Sequence, residues 1–518
     1  MGTSVWWACV ASVLLVAVWA WRGLNWVWLK PKRLEKRLRG QGFSGNSYRV
    51  LVGDLWQSSL MDRESHSTPL HLDADIASRL MPFFHHTVQK YGKKCFTWFG
   101  PFPNVIIMDP EILREIFSRH ELWPKPTFMS HAEVLVSGLV LLEGQEWSKH
   151  RKFLNPTFRT ESLKNLFRGF YWSCVEMLEE WERLASANGS VELDSWSYCL
   201  ELSKNMLARA VFGDTYKDGA KIFEIQQEHI DLGLQVLRSI YIPGYRYLPT
   251  KFNKRLKDTG REVKSMLKAM IKTKEMAIDA ADKIHDMDLL SSMLVSNSKL
   301  IKDQGPAAGL TLDDIVGNVE QFYEAGQSAT SSLFVWTLVM LCRHQDWQDR
   351  ARDEVLRVFG KNEPDFDGLS HLKIVTMILN EVLRLYPPAY FTSRMTKQEM
   401  KLEKFTLPEG IVVTIPMILV HHDTDLWGKD AKEFKPERFA NGVAAATNGK
   451  LIFFPFGSGP RVCIGQNFSM VEAKLFLVTL LRRFRLEISP AYTHAPFPVI
   501  TTLPQHGAHI IIRKLEGV

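Results

Sequence analysis

FFPFGSGPRVCIGQ, residues 453–466, places one cysteine, Cys463, among three glycines. With a single cysteine the stretch cannot form a structural zinc cluster, which takes four protein ligands. It runs directly into a helical pattern beginning near Gln466. A thiolate just ahead of a helix N-terminus is stabilised by the free backbone N–H groups and the helix dipole. Gly457, Gly459 and Gly465 allow the backbone to bend closely around the sulfur and its ligand. Arg461, two residues away, supplies a fixed positive charge suited to a carboxylate.

A second segment bears on what the sulfur holds. Residues 311–340 form the clearest helix in the sequence, with Thr311 and Asp314 spaced as a capping box. Ile315, Val319, Phe322, Gly326, Ala329, Leu333, Trp336 and Met340 make one continuous face. About 30 residues give roughly 45 Å of helix, enough to cross a whole domain. At its middle stands YEAGQSATSS, residues 323–332, with glycine and small hydroxyl residues. A glycine there costs about 1 kcal/mol relative to alanine. Either a neighbouring helix approaches closely at Gly326, or a flat ligand lies against this face.

The chain has 518 residues, 46% hydrophobic and 23% charged, an ordinary globular composition. Its net charge is +7, but seven Lys and Arg residues fall between Arg22 and Arg39, so the remainder is close to neutral. No other basic stripe points to nucleic acid. The six cysteines are scattered without a CxxC pair, as expected of free thiols in a reducing compartment, with Cys463 set apart. Residues 2–21 carry no charge and have tryptophans towards both ends, the pattern of a membrane-spanning helix. The basic residues follow the apolar run and no clean A-x-A site is present, which favours an uncleaved anchor over a secretory signal. The positive-inside tendency then leaves everything after the anchor in the cytosol.

Helical periodicity dominates the body, at 161–187, 220–239, 254–283 and 469–485. Strand-like alternation is confined to short pieces near 105–109, 400–416 and the C-terminus. The expected fold is mainly α with a minor β portion. The expected divisions are an anchor at 1–21, a basic linker at 22–45 and one catalytic domain at 46–518.

Phe456, Gly459, Arg461, Cys463 and Gly465 match the F-x-x-G-x-R-x-C-x-G signature of cytochromes P450. Glu381 and Arg384 in NEVLRLYPP resemble that family's E-x-x-R pair, and Arg438 in FKPERF resembles its third partner. Trp147 and Arg151 in EWSKHRK resemble its W-x-x-x-R helix. Longer stretches, GLSHLKIVTMILNEVLRLYPP and APFPVITTLPQHGAHIIIRKL among them, resemble the plant CYP72 family, which includes secologanin synthase. The resemblance spans residues 40–518.

That resemblance implies a cytochrome P450 fold behind an N-terminal transmembrane anchor in the endoplasmic reticulum membrane, with the catalytic domain facing the cytosol. Cys463 would be the axial ligand of haem b iron. Phe456, Gly457, Arg461, Gly465, Trp147 and Arg151 would contact the haem, the last two with Arg461 at its propionates. Glu381, Arg384 and Arg438 would form a buried structural network. Electrons would come from NADPH through the flavins of a separate NADPH–cytochrome P450 reductase, and the substrate would be a hydrophobic terpenoid. Phe128, Phe322, Ala389 and Thr392 would line its pocket, with the stretch from Ile500 to Leu503.

At the family's oxygen-activation motif, A-G-x-[D/E]-T-T, this chain keeps Ala325 and Gly326 but has Ser328 for the acid and Ala329 for the first threonine. On a helical wheel Ser328 points about 200° from Gly326, Ala329 about 60° to one side and Thr330 about 40° to the other. Thr330 is then the expected hydroxyl nearest the iron. Three outcomes stand open. Thr330, ordered water or a substrate hydroxyl delivers the protons and oxygenation proceeds. Slower protonation favours rearrangement or C–C cleavage. Or the protein is a haem- and ligand-binding homologue with impaired O2 activation.

Overall fold

Thr311 opens the central helix, Leu312–Arg343, by the reciprocal cap that its sequence spells out: the Asp314 N–H donates to the Thr311 hydroxyl at 3.2 Å, and the Thr311 N–H donates to the Asp314 carboxylate at 2.9 Å. Such a cap is worth about 1 kcal/mol. The computed structural model describes residues 2–126, 138–186, 188–238, 248–280 and 288–515. Phe128 lies outside the described residues.

From Ile315 to Cys342 the central helix is buried at every position except Ala325, Gly326, Ser328 and Ala329. Helices Thr160–Ala185, Ser195–Phe212, Tyr216–Arg238, Lys251–Ala280 and Gln466–Leu481 pack around it or against each other. Four of these correspond to the helical stretches expected from periodicity. Ser195–Phe212, without a clear apolar stripe, runs along the central helix, and its Ser203 hydroxyl donates to the Gln327 carbonyl at 3.1 Å.

The β portion is small. Ser44–Gly45, Cys95–Phe99, Phe102–Ile106, Val412–Ile415 and Thr392–Met395 form one mixed sheet in that spatial order. Ser190–Asp194, His509–Lys514 and Phe484–Ile488 form an antiparallel second sheet. The strand expected at 105–109 ends at Ile106, because Asp109 accepts from the N–H groups of Glu111 and Ile112 and Pro110 begins a helix. The alternation at 400–416 splits into a hairpin, Met400–Leu402 with Phe405–Leu407, and the strand Val412–Ile415.

At the N-terminus, Gly2–Leu24 continues through a π-helical stretch, Asn25–Leu29, into Lys30–Gly40. The expected linker is therefore helical for most of its length. Its apolar face buries Leu34 and Leu38, and Arg39 holds both Glu35 and the Gly45 carbonyl. The most apolar stretch of Cys9–Gly40 has 0% of its residues buried, whereas that of Pro306–Arg343, which contains the central helix and is somewhat less apolar, is 78% buried. Length and composition alone would let either cross a membrane; burial makes the central helix part of the core.

Glu381 and Arg384 are both fully buried and face each other through two 2.7 Å hydrogen bonds. Arg384 also donates to the carbonyls of His421, Ala431 and Glu433, and Lys435 N–H and Arg438 Nε reach Glu381 at 2.9 and 3.4 Å. One helix is thus tied to the segment preceding the cysteine loop. Removing one member of a buried, fully bonded pair strands the other, at a cost of about 3–5 kcal/mol. Arg384→Ala is therefore expected to lower the melting temperature sharply and reduce the folded yield; a melt within a degree of the native protein's would contradict the structural role.

Candidate active site

The cysteine loop is closed by backbone hydrogen bonds. The Gly457 N–H donates to the Phe454 carbonyl and the Cys463 N–H to the Phe456 carbonyl, each at 2.8 Å. Gly457 and Gly459 have φ of +73° and +68°, and a Cβ at Gly459 would stand 2.4 Å from the Phe117 carbonyl oxygen. The loop delivers Cys463 to the start of helix Gln466–Leu481, with Gly465 as its N-cap residue. The Cys463 side chain is exposed, but it opens into a recess of the protein: dense surroundings raise the thiol pKa, while the Gly465 N–H and the Arg151 charge oppose that rise. The other cysteines of the folded body are buried free thiols, and burial pushes Cys95 and Cys174 up to about 12. Cys463 is thus the thiol placed for ligation.

The opposite wall comes from the central helix. It meets the cysteine helix where Thr330 Oγ1 lies 3.1 Å from Ser469 Oγ, with the buried Glu472 carboxyl beside Thr330. From that junction one arm runs back through Ala329 to the exposed Ala325, the other through Gly465 to the exposed Cys463. The break in burial on each arm is where a recess between them would open.

Gly326 does not face it. A Cβ there would come 3.2 Å from Leu207 of helix Ser195–Phe212, so this glycine serves a close helix approach. The recess side is Ala325 and Ala329, one turn apart. The Thr330 side chain, expected as the hydroxyl nearest the iron, is fully buried and lies against Ser469 and Glu472. Ser328 Oγ lies 2.7 Å from Thr501 Oγ1.

Above the loop is a cluster of cations. The Arg461 guanidinium stacks 4.2 Å from the Trp147 ring and donates to the Leu142 carbonyl at 2.8 Å and to Glu143 at 2.5 Å. Arg151 donates to the Val462 carbonyl at 2.7 Å, so the residues at Trp147 and Arg151 both converge on the loop. Burial, then Arg461, hold Lys125 down at about 8 and Arg394 at about 10. Among the described residues Glu143 is the one carboxylate that ion-pairs with any of Lys125, Arg151, Arg394 and Arg461. The buried Trp123 indole N–H, beside the strand carrying Arg394, has no acceptor among the described residues. Surplus buried cations and an orphaned donor fit a ligand that brings anionic oxygens.

The donor set also fits a porphyrin iron. No three His, Cys, Asp or Glu side chains converge among the described residues, so no protein-built metal cage is present there. A haem brings its own ring nitrogens and would ask the protein for one further ligand, which the Cys463 sulfur could supply.

The sequence model of the family "Cytochrome P450" matches residues 72–506. The chain belongs to the cytochrome P450 family. It is 66% identical over 509 residues to cytochrome P450 72C1 of Arabidopsis thaliana, covering 98% of each chain. It is 48% identical over 498 residues to cytochrome P450 72A397 of Kalopanax septemlobus, covering 96% of each. To secologanin synthase 2 of Catharanthus roseus it is 44% identical over 507 residues, 97% of this chain and 96% of that one. These relatives are CYP72 family members, as the sequence resemblance had indicated. A retinoic acid-bound cyanobacterial structure, CYP120A1, shares the fold at a TM-score of 0.74 and 21% identity, covering 91% of this chain and 98% of that one. As a cytochrome P450 the chain is a haem monooxygenase.

Of the residues expected in the substrate pocket, Ala389 is exposed, while the Thr392 hydroxyl accepts from Arg394 at 3.0 Å and so borders the cation cluster. Phe322 is buried, its ring 5.1 Å from Phe158, which in turn lies 6.2 Å from Phe468. It is part of an aromatic cluster with those two rings. Lys125, Glu143 and Arg394 went unnoticed in the sequence because each is an isolated charge with no local pattern. Gly459→Ala tests the cradle: left-handed backbone costs a non-glycine residue about 1–2 kcal/mol before the collision with Phe117. The expected outcome is a lower haem-to-protein ratio and an earlier melt; unchanged haem content would contradict the close approach.

Proposed function

We propose that this cytochrome P450 oxidises a hydrophobic terpenoid plant metabolite in the recess, by hydroxylation or by further oxidation up to C–C cleavage, using electrons passed from NADPH by a cytochrome P450 reductase. The exposed helix Gly2–Leu24 would anchor it in the endoplasmic reticulum membrane with the catalytic body in the cytosol. The observation that carries this reading is the break in burial of the central helix opposite Cys463, a recess walled by Ala325 and Ala329. An apolar wall with few polar groups suits a hydrophobic ligand. The terpenoid class rests on the relative named secologanin synthase 2.

Bound haem supplies the reduction of O2 and the insertion of one oxygen atom, favoured by thiolate ligation. The chain's residues do the rest. The Gly465 N–H steadies the Cys463 sulfur. Trp147, Arg151, Arg461 and Arg394 would hold the propionates. Phe456 and Gly457 would shape the loop against the haem. Ala325 and Ala329 present methyl groups where the family carries an alanine and a threonine. The hydroxyl pair Ser328–Thr501 is the polar feature left beside them, so ordered water or a substrate hydroxyl reaches the recess from there, and not from Thr330.

A second reading has its own support. The Ala329 methyl and the diversion of Thr330 to Ser469 and Glu472 remove the usual hydroxyl, which favours a haem- and ligand-binding homologue with impaired O2 activation. Lost proton-transfer groups typically cost roughly 10²–10⁴-fold. The two readings part on coupling. NADPH use, peroxide release and oxidised product are measured together, in microsomes with a plant reductase and a terpenoid panel, for the native chain and a Ser328→Glu/Ala329→Thr variant. Monooxygenation predicts native product in step with NADPH. Peroxide without product, corrected by the double variant, would establish the second reading.

A further inference from the structure

Position 328 has lost the family's acid, yet a carboxyl stands one helical turn earlier. Glu324 directly precedes the exposed Ala325 and is itself 9% exposed. Residues four apart share a helix face, with Cβ atoms about 5–6 Å apart, so Glu324 and Ser328 are neighbours on the flank that reaches Thr501. Among the described residues no hydrogen bond or ion pair engages the Glu324 carboxyl. A buried carboxyl without a cation is costly as an anion and persists by keeping its proton.

We propose that Glu324 is the relocated acid of this enzyme, passing protons through the Ser328–Thr501 hydroxyl pair into the recess walled by Ala325 and Ala329. The inference rests on the monooxygenase reading above. In each transfer Glu324 gives its proton to a bridging water or to Ser328 Oγ, that hydroxyl releases its own proton into the recess, and Glu324 regains one from solvent. Electrons and the other atoms stay where they are. The way in from solvent is marked by Asp231 of helix Tyr216–Arg238, an exposed residue and the one charged group that acts on Glu324. Tyr323 is its neighbour on its own helix, and Glu201 and Glu224 act on that tyrosine; no cation offsets these groups at Glu324. Burial first, and Asp231 second, raise Glu324 to about 7, where an acid both gives and regains its proton near neutral pH.

The test compares the native protein with Glu324→Gln and with Glu324→Gln/Ser328→Glu/Ala329→Thr, all haem-loaded. Infrared difference spectra over pH 5–9 are expected to show a protonated carboxyl band that fades as pH rises through about 7 and is missing from Glu324→Gln. Coupling of product to NADPH should fall roughly 10²-fold in Glu324→Gln, with haem content and ligand-induced spectral shifts unchanged. It should recover in the triple variant, where the acid returns to position 328. In the native protein coupling should also decline as pH rises past about 7, because the carboxyl is then ionised. Unchanged coupling in Glu324→Gln, or absence of the titrating band, would overturn the proposal. So would a Glu324→Gln variant that binds the ligand more than 10-fold more weakly and is not rescued, since Glu324 would then be a substrate contact. If the native chain forms no product at all, the monooxygenase reading fails, and the carboxyl band still reports whether Glu324 holds a titrating proton.

Discussion

A helix of 32 residues buried along nearly its whole length needs partners for most of its polar side chains, and many of them come from elsewhere in the chain. That constraint organises this protein. The Asn318 and Gln321 amide oxygens accept from the N–H groups of Leu139 and Val140. Thr330 is answered by Ser469, Ser328 by Thr501, and both Ser332 and the Trp336 indole by the Thr502 carbonyl. Each bond draws in a segment distant in sequence: the loop before the Trp147 helix, the cysteine helix, and the hairpin near the C-terminus. Replacing any of these partners would leave a desolvated polar group, at about 1–3 kcal/mol.

The same accounting explains the motif at its centre. Two small side chains, Ser328 and Ala329, stand where the family pattern has larger ones, and the Thr330 hydroxyl is committed to holding elements together. Thr330 pins the central helix to the cysteine helix, so its position is structural. Gly326 lets helix Ser195–Phe212 approach through Leu207. The recess is left with two methyl groups and one serine–threonine pair. Within two turns the long helix would therefore do two jobs: Gly326 and Thr330 hold the scaffold, and Ala325, Ser328 and Ala329 would face the chemistry.

Much of this was legible in the sequence because it is local. The cap at Thr311, the helix after Gln466 and the glycine-lined cysteine loop each follow from residues within a few positions of one another. The family signature singled out Cys463 and the Glu381–Arg384 pair, which is buried. What stayed hidden is what depends on rotation and on long-range partners. An ideal wheel could not say whether the less buried side was centred on Gly326 or on Ala325, a difference of about 100° that decides which way Thr330 turns. Phe322 read as pocket or core equally well until Phe158 and Phe468 were placed beside it. Arg394 and Lys125 join Arg461 only through folding, and no spacing in the chain announces them.

The central claim is that Cys463, held at the mouth of its helix beneath the cation cluster, ligates a haem through sulfur. The most direct measurement is the absorption spectrum of the reduced, carbon monoxide-bound protein, native and Cys463→His. The account predicts the red-shifted Soret band of thiolate-ligated haem in the native protein, and its loss in a Cys463→His variant that still retains haem. A native spectrum already at the nitrogen-ligated position, or a thiolate-type band that survives Cys463→His, would contradict it.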